Sequence, residues 1–421
     1  MKFLRTASTS RLLATILGLV LAIAAGTAIA VAATNSTPVP KAEPLADAVH
    51  GALSASPVQG ISANITFTNG LISSDDFTGG TTDPLLQGAS GRLWVGDHQL
   101  RLELQGGNGD AQVVVNGRSF MVSDPASSTV YEGTLPADMS SSSSQPSTDQ
   151  GVPSIAQIQS EITKLLQRVT LAGTGTSDPG DIAGRPTYSV TISPKHSGGE
   201  LGKLQLAWDA ATGTPLDIAV YSSTSTTSGP VLELKVTDVS YGTVKPGVFN
   251  IPPTPGYKVV TVSGAQQTAA SKALKKGKVA HTDVSGVSAV AGHVPFTLVA
   301  PPSAVGLPRH DVTLLSWGGA PAALVTYGQG LGAIAVIEQK ADTAGSSNSS
   351  SQNQDEGQGT GLSLPTVAID GPTGQQLATG QELDTALGTM VRFTRAGVSY
   401  TVIGSVTPYA ADQVARALLT P

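Results

Sequence analysis

From Ile61 to Leu135 apolar and polar residues alternate with a period of two. In Leu100-Arg101-Leu102-Glu103-Leu104-Gln105 the leucines share one face and the polar residues the other, as in a strand with one dry and one wet side. Val113-Val114-Val115 runs into Asn116-Gly117 and then into Arg118 to Val122. Asn-Gly between two apolar runs predicts a tight hairpin, because both residues tolerate positive φ. The segment therefore reads as an antiparallel meander. A short amphipathic helix precedes it, with Leu45, Val49, Ala52 and Leu53 at i, i+4, i+7 and i+8.

After a Ser-rich loop at 140–151 the period changes to that of a helix. Ser154 and Gln157 have capping-box spacing, and Ile155, Ile158, Ile162, Leu165, Leu166 and Val169 form one stripe. Period-two strands resume at 187–192, 201–208, 216–221 and 231–241. Residues 264–292 suggest a linker helix bearing Lys272, Lys275, Lys276 and Lys278, either a solvated face or a contact for anionic headgroups. A smaller unit follows from His293, with strands expected at 296–299, 313–317, 322–327, 333–338, 366–369, 390–395 and 398–403. Its closing helix opens at Pro408 and has Ala411, Val414 and Leu418 on one side. The polar stretch 344–361 reads as a disordered insertion.

The N-terminus changes the address of the whole chain. Lys2, Arg5 and Arg11 precede 22 uncharged residues from Leu12 to Ala33, about 33 Å as a helix and enough to span a bilayer core. The run is either an uncleaved anchor or a cleaved signal with its exit at Ala28-Ile29-Ala30. In both cases the remainder is expected outside the cytoplasm, as a single-pass membrane protein or a secreted one. The expected division is 1–33 anchor or signal, 34–44 linker, 45–260 first domain, 261–292 linker helix and 293–421 second domain.

Composition narrows the chemistry. Of 421 residues none is Cys, which removes disulfides, thiolate metal sites and cysteine nucleophiles. A net charge of −6 argues against nucleic acid as a partner. The six histidines are scattered, with no His-Glu-x-x-His and no Gly-x-Ser-x-Gly. His310-Asp311 stands alone after Pro308-Arg309, and Gly328-Gln329-Gly330-Leu331-Gly332 lacks the spacing of a nucleotide loop. Asp75, Asp76 and Asp83 read as solvated turn residues. No catalytic residue, cofactor or metal site is expected, and the protein is read as a non-enzyme.

Two signatures give a resemblance. One is Trp208-Asp209-Ala210-Ala211-Thr212-Gly213-Thr214-Pro215-Leu216; the other is Gly247-Val248-Phe249-Asn250-Ile251-Pro252-Pro253, followed by Gly256-Tyr257-Lys258-Val259. With the helix–meander–helix–meander order they resemble the LolA family of lipoprotein carriers and its relatives. Those relatives include the RseB/MucB envelope-stress regulators and actinobacterial lipid-binding lipoproteins. Residues 392–404 and the last helix resemble the small second domain of the RseB type.

The fold the resemblance implies is mainly β with α: a LolA-like curved antiparallel half-barrel covered by helices, a smaller α+β C-terminal domain and an N-terminal transmembrane helix. Its implied ligand is an acyl lipid or lipoprotein. In the regulator variant, the partner is an anti-sigma factor or another membrane protein. This chain departs from the relatives by lacking a lipid-attachment Cys and by its apolar N-terminal run. The dry-face positions Leu100, Leu102, Leu104, Val113, Val115, Leu204, Leu206, Trp208, Leu232, Leu234 and Val236 are the candidate lining of a hydrophobic cavity, with ordinary core the alternative at each.

Overall fold

A computed structural model describes residues 39–72, 84–107, 109–135, 152–167, 169–172, 178–195, 198–224, 229–262, 284–317, 320–341, 365–371 and 374–419. The run 12–33, the Ser-rich stretch 140–151, the four linker lysines, Asp75, Asp76, Asp83 and the insertion 344–361 lie outside these residues. Among the described residues no helix is long and apolar enough to cross a membrane.

In the first unit, helix α1 (Leu45–Ser54) leads into β1 (Ile61–Asn69) and the single turn α2 (Pro84–Gln87). The first meander follows as β2 (Gly88–Gly96), β3 (Gln99–Leu104), β4 (Ala111–Asn116), β5 (Ser119–Asp124) and β6 (Thr129–Thr134). After helix α3 (Ile155–Leu165) come β7 (Val169–Leu171), β8 (Asp178–Ile182), β9 (Arg185–Pro194), β10 (Leu201–Asp209), β11 (Pro215–Ser222) and β12 (Leu232–Tyr241). β13 (Lys258–Val262) completes the unit. These strands form one open 13-stranded sheet in the order β13-β6-β5-β4-β3-β2-β1-β12-β11-β10-β9-β7, with β8 paired to β9. Every pairing is antiparallel except β13 on β6.

The sheet carries the devices that bend a β-layer. The β1–β12 register shifts at Asn64/Ile65, with Thr237 of β12 as the extra residue, and two more shifts interrupt β10 against β11. At Gly91 a Cβ would sit 1.9 Å from the Glu103 carbonyl oxygen, so only glycine allows β2 and β3 to approach as they do.

The second unit contains helix α4 (Val287–Ala291), β14 (Ser303–Ala304), β15 (Leu307–Trp317), β16 (Ala320–Tyr327) and β17 (Ile334–Lys340). It continues through β18 (Thr366–Asp370), β19 (Gln376–Thr385), β20 (Gly388–Arg395), β21 (Val398–Gly404) and helix α5 (Pro408–Leu419). Its eight-stranded sheet runs β14-β15-β16-β17-β21-β20-β19-β18. Helix α5 lies across one face and buries Ala411, Val414, Ala415, Leu418 and Leu419.

Several expectations shift. In the β4–β5 hairpin Asn116 stays in the strand, paired with Ser119, and Gly117 (φ 59°) takes the first turn position. The turn thus uses the glycine for positive φ and leaves Asn116 free to bond elsewhere. Residues 296–299 are irregular backbone, not a strand; the Val299 N–H is held by the Glu338 side chain at 2.9 Å instead of by a ladder. Val169 belongs to β7, not to the helix stripe. Of the proposed linker 261–292, the β13 end belongs to the first sheet, while Ser285 bridges to Thr313 and Val290 is buried in the second core.

Candidate functional site

Cross-strand register brings all eleven candidate residues to one face of the first sheet. Leu206 stands opposite Val190 and Ile218, Ile218 opposite Leu234, and Leu234 opposite Phe67. Further along, Leu93, Leu102, Val113 and Val122 form a continuous row, as do Val95, Leu100, Val115 and Phe120. Leu104 faces Gly91, where the strands come closest, and Ile65 on the far side of Gly91 faces Val236. A period-two sequence repeated over adjacent strands in this register has no other outcome than an unbroken apolar face.

Burial along that face is uneven. Leu100, Leu102, Leu104, Val113, Val115, Leu234 and Val236 are buried in one cluster, and Trp208 is buried in a second beneath α1. Leu204, Leu206 and Leu232 remain only partly covered. Beside Leu93, Leu216, Ile218 and Leu234 the face encloses a cavity of about 10 Å³, room for one water. Part of the cover is the β8–β9 hairpin. Its turn residues Ala183 (φ 55°) and Gly184 (φ 72°) fold it tightly, and Ile182 and Ala183 pack against the cluster.

The Trp208–Leu216 signature is a structural hub. Asp209 is fully buried, and its Oδ2 accepts from Arg185 Nε at 2.6 Å and from the Tyr241 hydroxyl at 2.9 Å. Its Oδ1 accepts from the backbone N–H of Ala211 (2.8 Å) and Thr212 (3.2 Å). Burial and the Asp209 charge hold the Tyr241 phenol neutral, far above its usual range. With four donors on its carboxylate, Asp209 has no lone pair to spare for chemistry. Gly213 (φ 68°) completes the turn; a Cβ there would meet the Ala52 carbonyl oxygen at 2.5 Å, so this glycine is where α1 seats on the sheet.

The second signature makes a feature that alternation hid. Pro252 and Pro253 cannot join a ladder, and the segment from Pro246 crosses the supposedly wet face of β2 to β6. Arg101, stacked over Trp94 at 4.9 Å, donates to the Val248 carbonyl; Asn116 donates to Asn250 Oδ1 at 2.9 Å. Phe249 is buried against Gly96. Beside this strap a cleft of about 810 Å³ opens among Val114, Met121, Ile251 and Pro252, with Glu132 at its side. The signal for it was present in the middle of the three consecutive valines, Val114, which points to the wrong face for a simple strand.

Among the described residues no three His, Asp or Glu side chains converge as a metal site would require. His310 is exposed and meets only Gln329 at 3.2 Å. Asp217 borders the small cavity on the apolar face; burial pushes its carboxyl up to about 6, with Glu233 adding to the rise and Lys235 opposing it.

An antiparallel sheet with one continuous apolar face is thus followed by a second sheet that helix α5 covers on one side. No known protein family profile matches the chain. No curated protein matches it either. Among solved structures it is similar to MucB in complex with periplasmic MucA, at 14 % identity over 85 % of this chain and 92 % of that one, TM-score 0.36. The Pseudomonas aeruginosa MucA/MucB complex gives 14 % identity over 88 % and 94 %, TM-score 0.35. A putative outer membrane lipoprotein-sorting protein domain from Vibrio parahaemolyticus gives 12 % identity over 49 % and 96 %, TM-score 0.17. Likenesses this distant establish neither a ligand nor a partner for this chain.

Proposed function

We propose that the protein is a non-enzymatic, membrane-anchored extracytoplasmic binding protein that holds the acyl chain of a lipid or lipoprotein against the bent face of its first sheet. The observation carrying this reading is the continuous apolar face with half-covered positions at Leu204, Leu206 and Leu232. In the state described here the space is taken by the protein's own side chains, so entry requires the Ile182–Ala183 hairpin to yield. Each CH₂ buried there contributes about 0.8 kcal/mol, which a long chain multiplies enough to offset lifting one hairpin.

Titration of the purified chain with a fluorescent fatty acid, in a cholate-type detergent that has no acyl chain, tests the reading. Uptake is expected to rise in Ile182→Ala, which vacates part of the filling, and to vanish in Leu206→Asp with the far-ultraviolet dichroism unchanged. Uptake equal in all three forms, or absent from all, overturns it.

A second reading has its own observation. The cleft of about 810 Å³ beside the strap is open as it stands and mixes apolar walls with Glu132, Asn116 and Asn250, a lining suited to a peptide. It favours a regulator that docks the exported part of an anti-sigma factor or another membrane protein. A stoichiometric protein partner that is lost in Met121→Asp, without loss of fatty-acid uptake, decides for it.

A further inference from the structure

The two units meet at a small hydrogen-bonded joint. The Glu200 N–H donates to the Ser405 carbonyl at 2.9 Å and the Leu201 N–H to Ser405 Oγ at 2.8 Å. In a second contact the Ala386 N–H donates to the Leu71 carbonyl at 2.8 Å. The loop ahead of β10 thus sits on the loop between β21 and α5, and the residues after β1 sit on the β19–β20 turn. The approach is close, since a Cβ at Gly199 would stand 2.7 Å from the Ser405 carbonyl oxygen. Ser223 braces the same loop, its N–H on the Glu200 carbonyl at 2.7 Å and its hydroxyl on the Gly199 carbonyl at 2.6 Å.

Into this joint the first unit places a carboxylate. Glu200 is 7 % exposed, and among the described residues its Oε2 meets no donor. The charge it faces across the joint is that of Asp384 on β19, which accepts from the Thr389 hydroxyl at 3.2 Å. Asp384 in turn neighbours Glu382, and Glu382 neighbours Asp412 of α5, which is paired with Arg416 at 2.7 Å. On β10 itself Lys203 lies over the Tyr221 ring at 4.1 Å. Among the described residues no ion pair reaches Glu200 or Asp384. A buried carboxylate with an unused oxygen and a like charge opposite it carries a penalty that one proton removes.

We propose that the joint is a proton-operated clamp: a proton on the Glu200–Asp384 pair keeps the two units docked, and ionisation of both carboxylates lets them part. Burial first, and the Asp384 charge second, raise the Glu200 carboxyl above its usual range in the docked form. The docked form therefore binds a proton more tightly than the parted one. Docking is fully supported below the ordinary glutamate range and is lost as pH rises through the raised value. What the clamp grips is the start of β10, the strand that carries Leu204 and Leu206, so acidity also steadies the half-covered part of the apolar face. The inference stands independently of what that face holds.

The absence of cysteine allows a direct test, since two introduced thiols report one distance. Ser240→Cys on β12 and Thr394→Cys on β20, both exposed, are labelled with a donor and an acceptor dye in the full chain. Single-molecule energy transfer is then recorded from pH 5 to pH 8 in a cholate-type detergent. The wild-type background is expected to show one docked population at pH 5 and a second one whose share grows about three-fold or more by pH 8. Glu200→Gln, which keeps the shape and removes the charge, should hold the docked population throughout. Gly199→Val, which drives a side chain into Ser405, should show the parted population at every pH. A wild-type share that does not change with pH, or a change equally large in Glu200→Gln, overturns the clamp. So does a Gly199→Val chain indistinguishable from wild type at pH 5, because the joint is then not formed in solution.

Discussion

The two sheets are built from the same alternation yet finish their apolar faces differently. In the second unit α5 lies across the face with Ala411, Val414, Ala415, Leu418 and Leu419, and Val325, Val336, Val391 and Val402 are completely buried. Arg395 even ties the end of the helix down through the Leu419 carbonyl. In the first unit the described helices α1 and α3 pack only at the Tyr188–Trp208 part of the face. A hairpin tip supplies Ile182 and Ala183, and Leu204, Leu206 and Leu232 on β10 and β12 stay half-covered. The second core is completed by a dedicated helix, whereas a hairpin tip contributes to the first. The comparison teaches that burial alone does not mark a site; what completes the burial does.

The largest effect expected from breaking the first unit lies away from the candidate lining. Asp209→Ala strands the Arg185 guanidinium and releases the turn that seats α1, and should cost about 3–5 kcal/mol in denaturant unfolding. The contrast between the faces comes next. Leu418→Ala in the closed core should cost about 2–5 kcal/mol, whereas Leu206→Ala at the half-covered margin should cost about 1 kcal/mol or less. Equal losses in the two units would erase the distinction.

A smaller, pH-linked effect separates the units again. Glu338 is fully buried on β17; its carboxyl is pushed up to about 8 by burial, which the hydrogen bond from Val299 only partly offsets. Because the folded value lies above the unfolded one, the contribution is intact below pH about 4.5 and declines as pH rises toward 8, by at most about 1.4 kcal/mol per unit. In the first unit Asp217 gives a loss of the same sign confined to the range up to about 6. Unfolding midpoints against pH should therefore keep falling beyond pH 6 for the second unit only, and Glu338→Gln should flatten that slope.

Most of the architecture was legible, for reasons visible in particular residues. Ser154 and Gln157 form their capping box, and Leu100, Leu102 and Leu104 share the face that their spacing requires. Strand β19 was illegible because Gln376 to Thr385 mixes Gly380, Glu382 and Asp384 with few apolar residues; neighbouring strands, not its own pattern, hold it in place. Residues 296–299 look like a strand in sequence but spend their backbone donor on a buried carboxylate. That these positions share one face was readable from period two, but their covering was not, since no local pattern announces that the β8–β9 hairpin tip packs against them. The strap and its cleft were hidden because a wet face was assumed where Val114 and Met121 stand.

The acyl-holding face is tested most directly by native mass spectrometry of the full chain released from its membrane in a cholate-type detergent and offered excess palmitate. One palmitate per chain, retained by the wild type and absent from Leu206→Asp, is the predicted result; a chain that stays unloaded at every palmitate concentration contradicts the account.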